Sequence, residues 1–203
     1  MRRIVLPGEL LAEEPMRFDN SYMENGKTYS KVLGIYEDEK KSIVPLEGVW
    51  NPHIGDIVVG IITEVRNAVY MVDLAYFGRG ILISSKYERQ EYTPGTVIEA
   101  EVKNIEEKNT IILQYPKALY GGTILEVKPT KVPRIMGKAN TMVSQIRDLT
   151  KTNMVVGRNG VVWMKGGNIA LATSVIRQIE TEAHTSGLTE RIKKELESRQ
   201  TSE

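Results

Sequence analysis

The stretch from residue 54 to 116 constrains the fold of this chain more than any other. It holds five β-branched runs in about sixty residues: Ile57–Val65, Val69–Leu74, Arg79–Ile83, Val97–Ile105 and Thr110–Gln114. They are partly alternating and are separated by Arg66-Asn67, Gly78, Pro94-Gly95 and the Glu106–Asn109 segment, which punctuate strands rather than extend them. Five short strands so closely spaced predict a small barrel.

That barrel is of the OB type, since five strands over this length match it. Ahead of it the runs IVLPGELL, YSKVLGIY and KSIVPLEG predict a small all-β unit, and the break from Leu46 to Gly55 places a boundary near residue 53. Beyond Pro116 the pattern changes. A strand over Thr123–Val127 leads into RIMGKANTMVSQIRDLTK, where Met142, Ile146 and Leu149 form a narrow apolar helical stripe. Two β-branched runs, MVV and VVWMK, flank Gly157-Arg158-Asn159-Gly160, and a second stripe follows in Ile169, Ala172, Ile176, Ile179 and Ala183. The predicted order is β, helix, helix, β, β, helix. Between its two strands GRNG reads as a tight hairpin turn, with Asn159 and Gly160 supplying residues that tolerate positive φ. The fold class is therefore multidomain, mainly β plus α/β: 1–53 a β domain, 54–116 an OB-type barrel, 117–185 an α+β domain, and 186–203 a helical tail.

Charge is informative once divided along the chain. Residues 117–165 carry nine Lys/Arg against two Asp/Glu, whereas 54–116 carry six against nine. Lys117, Lys128, Lys131, Arg134, Lys138, Arg147, Lys151, Arg158 and Lys165 could displace counterions from a phosphate backbone. The mildly acidic remainder predicts weak binding by one copy and tighter binding by several. With no Cys and two isolated His, His53 and His184, disulfides, thiol catalysis and the common zinc sites are excluded. No cofactor is expected, and no metal. The carboxylates fall in surface-like pairs (Glu13-Glu14, Glu37-Asp38-Glu39, Glu106-Glu107) without the spacing of a metal nuclease, so no catalytic residue is assigned. The N-terminus breaks at Pro7-Gly8 before an apolar run forms, and no window reaches membrane-spanning length. A cytoplasmic protein without a membrane partner is expected.

The order GD-I-V-V-G, VDL, GILIS, PG-T-V and T-I-I-L resembles the RNA-binding OB domain named after ribosomal protein S-one. That resemblance implies RNA contacts at Arg66, Asn67, Tyr70, Tyr76, Phe77 and Arg79, with Lys103 on a later strand; the family's common aromatic pair falls on Ala68 and Met71. The α+β segment resembles a type I KH domain, in which the RNA-gripping loop lies between the first two helices. Here that loop is Gly137-Lys138-Ala139-Asn140, with Asn140 in place of a second glycine, and Lys131, Arg134, Gly137, Lys138 and Asn140 are its candidate contacts.

The three domains in this order, with VLPGELL near the start, GRNG in the hairpin and EAHTSGLTERI after it, resemble the KH-containing RNA-binding cap subunits of the archaeal exosome. The resemblance implies that Gly157, Asn159 and Gly160 pack structurally between barrel and KH domain. It also implies a non-catalytic role in 3′-to-5′ RNA degradation. Three caps would sit on a hexameric ring of phosphorolytic subunits, docked by their N-terminal domains, and would thread single-stranded, preferably adenine-rich RNA. The alternative on residues alone is a free-standing RNA chaperone or ribosome-associated factor with the same two modules.

Overall fold

The computed structural model describes residues 2–83 and 91–182, so Ala183, His184 and the predicted tail lie outside the described residues. The chain divides into two units, Met1–Val49 and Trp50–Glu203. In the first, six strands are β1 (Arg2–Val5), β2 (Leu10–Ala12), β3 (Ser21–Glu24), β4 (Lys27–Ser30), β5 (Gly34–Glu37) and β6 (Ser42–Pro45). They form two antiparallel sheets of three strands, ordered β1-β5-β6 and β2-β4-β3. Their core is small: Val5, Tyr36 and Ile43, with Leu11, Phe18 and Val32 packed against them. Buried hydroxyls supplement it. Thr28 Oγ1 donates to Glu14 O and accepts from Met16 N–H, both at 2.8 Å, so one buried side chain satisfies two main-chain groups of the loop. On the other face of β1-β5-β6 the register aligns Ile4, Ile35 and Val44 in one row.

In the second unit β7 (Ile57–Arg66), β8 (Val69–Asp73), β9 (Arg79–Ile83), β10 (Val97–Glu106) and β11 (Thr110–Leu119) close into a barrel in the order β10-β11-β9-β8-β7. All pairs are antiparallel except β9 with β11. Alternation fills the inside with Val58, Ile62, Tyr70, Val72, Leu82, Ile98, Val102, Ile111 and Leu113, each contributing roughly 1.5–3 kcal/mol by leaving water. Two boundaries differ from expectation. Trp50 belongs to the barrel core and not to the N-terminal unit, because its indole N–H has a partner in Asp56 Oδ2 at 3.1 Å. Strand β11 runs past residue 116, with Lys117, Ala118 and Leu119 paired to Glu99, Ile98 and Val97.

The remaining elements are β12 (Thr123–Glu126), α1 (Val132–Met136), α2 (Thr141–Thr150), β13 (Asn153–Val156), β14 (Val161–Lys165) and α3 (Ile169–Glu182). The sheet order is β12-β14-β13, all antiparallel. Central strand β14 is apolar at four successive positions because both its faces are covered. Val162 and Met164 pack with Ile146, Ile176 and Ile179 of the helices. Val161 and Trp163 pack with Val59 and Leu119 of the barrel.

Candidate nucleic-acid interface

On the barrel's outer surface β7, β8 and β9 enclose a shallow groove lined by Glu64, Arg66, Met71, Asp73 and Arg79 among others. Arg66 reaches back two residues to Glu64, Nε to Oε1 at 2.7 Å, and this hydrogen bond and charge raise its pKa further above the ordinary value. The pair is exposed, so a phosphate can compete for the guanidinium at small cost. Asn67 makes the β7–β8 turn at φ 54. Arg79 is exposed at the start of β9, and Lys103 is exposed on β10.

The aromatic candidates separate. Tyr70 is 5% exposed and stands edge-on to Tyr92 at 5.4 Å inside the barrel, so its assignment to the RNA surface is corrected: strand alternation puts it on the same side as Val72. Tyr76 is half-buried against Trp50, and burial raises its phenol pKa. Phe77 is exposed.

In the α+β domain the GKAN loop joins α1 to α2. Gly137 has φ 71, Ala139 φ 50 and Asn140 φ 62, so the asparagine in the usual glycine position is itself left-handed. Arg134 and Lys138 are exposed and Lys131 is half-buried. Part of the basic run is engaged internally: the Arg147 guanidinium donates to Met154 O, Lys165 Nζ to Tyr120 O at 2.8 Å, and Lys117 lies 3.9 Å from Glu99. The segment entering α1 is held from α3, since Glu180 accepts from Lys128 N–H and from Arg177, both at 2.7 Å. Burial pushes this carboxyl up, yet those two donors outweigh it and leave its pKa below the ordinary value.

The GRNG hairpin ties the two folds. Gly160 N–H closes the turn onto Gly157 O at 3.1 Å, and Gly160 alone of the expected pair has positive φ, at 85°. Asn159 is instead directed into the barrel. Its Oδ1 accepts from Val59 N–H at 3.2 Å, and its Nδ2 donates to Val59 O and to Leu74 O, both at 2.8 Å. Because β8 ends at Asp73, opposite Ile61, the outward groups of Val59 have no neighbouring strand, and the asparagine amide supplies the missing partner. Arg158 N–H extends the attachment to Ile57 O at 2.8 Å. A Cβ on Gly157 would lie 2.7 Å from Val59 N. On its other side the hairpin takes Val127 N–H on Gly160 O at 2.8 Å.

Among the described residues no group of three or more His, Asp or Glu is gathered as a metal site requires, and no helix is long and apolar enough to cross a membrane.

Comparison with known proteins agrees with this architecture. Residues 2–47 match the family described as the exosome RNA binding protein RRP4 N-terminal domain. The chain is 35% identical to the exosome complex component Rrp4 of Pyrococcus horikoshii, over 98% of this chain and 83% of that protein. It is also 35% identical to the Rrp4 component of Pyrobaculum aerophilum, over 99% and 95%. A crystal structure described as an exosome complex RNA-binding protein superposes with TM-score 0.65 at 27% identity, covering 77% of this chain and all of the other.

Proposed function

We propose that this chain, which belongs to the Rrp4 family of exosome components, is a non-catalytic RNA-binding cap subunit. It captures single-stranded RNA, with a preference for adenine-rich tails, and passes it to a hexameric ring of phosphorolytic subunits for 3′-to-5′ degradation. The observation that carries this reading is the joining of two nucleic-acid-binding folds into one body by Asn159. The barrel contributes Arg66 and Arg79 in its groove, and the KH domain contributes Lys131, Arg134 and Lys138 around GKAN. These cations hold phosphates, which gives affinity without sequence reading. Three copies around an axis raise a weak single-site affinity through effective concentration.

Ring docking falls to the N-terminal unit. Its Ile4–Ile35–Val44 row leaves Ile4 66% and Val44 53% exposed on a sheet whose opposite face is already core; apolar side chains in register across three strands suit a protein partner. The test is reconstitution with phosphorolytic ring subunits. The wild-type chain should co-purify with the ring and increase capture of oligoadenylate, and Val44→Asp should abolish co-purification with thermal stability unchanged. An isolated chain that degrades RNA after high-salt repurification, or a chain that ignores the ring, refutes the proposal.

A further inference from the structure

We propose that Phe77 is a base-stacking platform: a ring facing solvent, braced from behind by Tyr76 and Trp50, on which one base of single-stranded RNA lies. The inference rests on the RNA-binding reading above and adds where a base, as distinct from a phosphate, is held.

Phe77 is 68% exposed. Singly exposed apolar side chains are ordinary; what distinguishes this one is its support. Its ring centroid lies 4.0 Å from that of Tyr76, tilted by 43°. Tyr76 in turn stands edge-on to Trp50 at 5.3 Å and 72°. Trp50 is 6% exposed and anchored through its indole N–H to Asp56. Three rings thus run from the barrel core to the surface.

The loop that presents them is fixed at both ends. Leu74 O is held by Asn159 Nδ2. Ala75 takes φ 51 with its N–H bonded to Asp73 Oδ1 at 2.9 Å. Gly78 approaches Asn109 O so closely that no side chain fits there. A ring ordered in advance gives up little freedom when a base lands on it. Any base offers a π-face, so such a platform is sequence-tolerant and suits a protein through which RNA passes. Arg79, two residues on, lines the groove and is the nearest cation in the chain to hold a phosphate of the same strand. A protein partner fits less well, because Phe77 is followed in the chain by Gly78 and the charged Arg79, and one exposed ring does not make a contiguous apolar patch.

The experiment measures affinity of the full-length chain, alone and in the reconstituted complex, for a short oligoadenylate and for the same oligomer carrying one abasic site moved along it. Phe77→Ala should weaken binding on the order of 5- to 100-fold with the salt slope unchanged, since stacking releases no counterions. Phe77→Trp should retain affinity, and Phe77→Leu, which keeps bulk without the π-face, should behave as Ala. One abasic position should cost the wild type the same factor and cost Phe77→Ala nothing further. Affinity of Phe77→Ala within about twofold of wild type, wild-type behaviour of Phe77→Leu, or equal abasic penalties in both backgrounds overturns the platform. So does a Phe77→Ala chain that binds RNA normally but no longer joins the ring, which would assign the ring to a protein contact. Arg79→Ala in parallel separates the two readings. A lower affinity and flatter salt slope there, with Phe77→Ala silent, removes the platform alone. Silence in both removes Arg79 as a phosphate site as well, and a wild-type chain that binds no oligoadenylate, alone or in the complex, removes the RNA-binding reading itself.

Discussion

Replacing Asn159 by Ala tests the junction between barrel and KH domain most directly. The side chain is 3% exposed and makes three hydrogen bonds to main-chain groups of Val59 and Leu74. Truncation leaves one N–H and two C=O groups without partners in a site closed to water. At about 1–3 kcal/mol for each buried orphan, and with partial relaxation, the loss should be about 3–5 kcal/mol. For a unit of this size each kcal/mol moves the midpoint by roughly 2–4 °C, so the melting temperature should fall by roughly 6–20 °C. Asn159→Asp should be worse than Ala despite its closer shape. It keeps an acceptor for Val59 N–H but sets a carboxylate oxygen against two carbonyls and demands desolvation of a charge. Urea unfolding followed by tryptophan fluorescence reads this directly, because Trp163 is buried where the two folds meet. A midpoint for Asn159→Ala within about 1 kcal/mol of wild type, or an Asp variant more stable than the Ala variant, would refute the reasoning.

Gly160→Val places a β-branched residue at φ 85 and a side chain 3.1 Å or closer to Pro129; melting should fall by the equivalent of about 2 kcal/mol or more, and unaltered melting with selective loss of RNA binding would restore GRNG as a gripping loop. Removing Arg66 with Arg79, or Lys131 with Lys138, should weaken RNA binding independently of sequence and flatten the salt dependence by roughly one unit of slope per phosphate contact, more so in the complex than in the monomer; filter binding across a salt series checks it, and unchanged slopes for both pairs would displace the proposed phosphate sites. Glu180 has a depressed pKa in the folded chain, so its contribution is present above the unfolded carboxyl's pKa of about 4.3 and lost as pH falls through the lower folded value; Glu180→Gln should be less stable at neutral pH and should lose less stability on acidification than wild type, and parallel urea-midpoint curves against pH would contradict this.

Much of the fold is legible because its strands declare themselves locally. The β-branched runs from 57 to 114 anticipate the five barrel strands, and the spacing of Ile169, Ala172, Ile176 and Ile179 anticipates the buried side of α3. Punctuation misplaces the junctions. Pro116 looks like a terminator, but on β11 it is tolerated while Lys117 to Leu119 continue the ladder with β10. Trp50 sits before a Pro-His-Ile-Gly break and yet fills the barrel, a placement decided by its contacts with Asp56 and Tyr76 and not by the punctuation. At the site, Tyr70 could have been excluded from the strand itself, since it shares parity with Val72 and Leu74. Asn159 could not: beside a glycine in a hairpin it reads as a turn former, and its three partners lie 100 and 85 residues away.

The continuity of β11 bears on how such a chain can be taken apart or inherited. A scission after Pro116 would pull three residues from a ladder, bare the edge of β10 at Val97–Glu99, and leave Leu119 without the company of Val59 and Val97. No loop at Pro116 divides the barrel from the KH domain; the hinge position is itself a strand. A library of random fragments should therefore return folded pieces that begin near Trp50, and none that stop between Pro116 and Gly122. For the same reason, exchange of modules between genes would move barrel and KH domain together, as a single cassette, while the strands before Val49 could be traded alone.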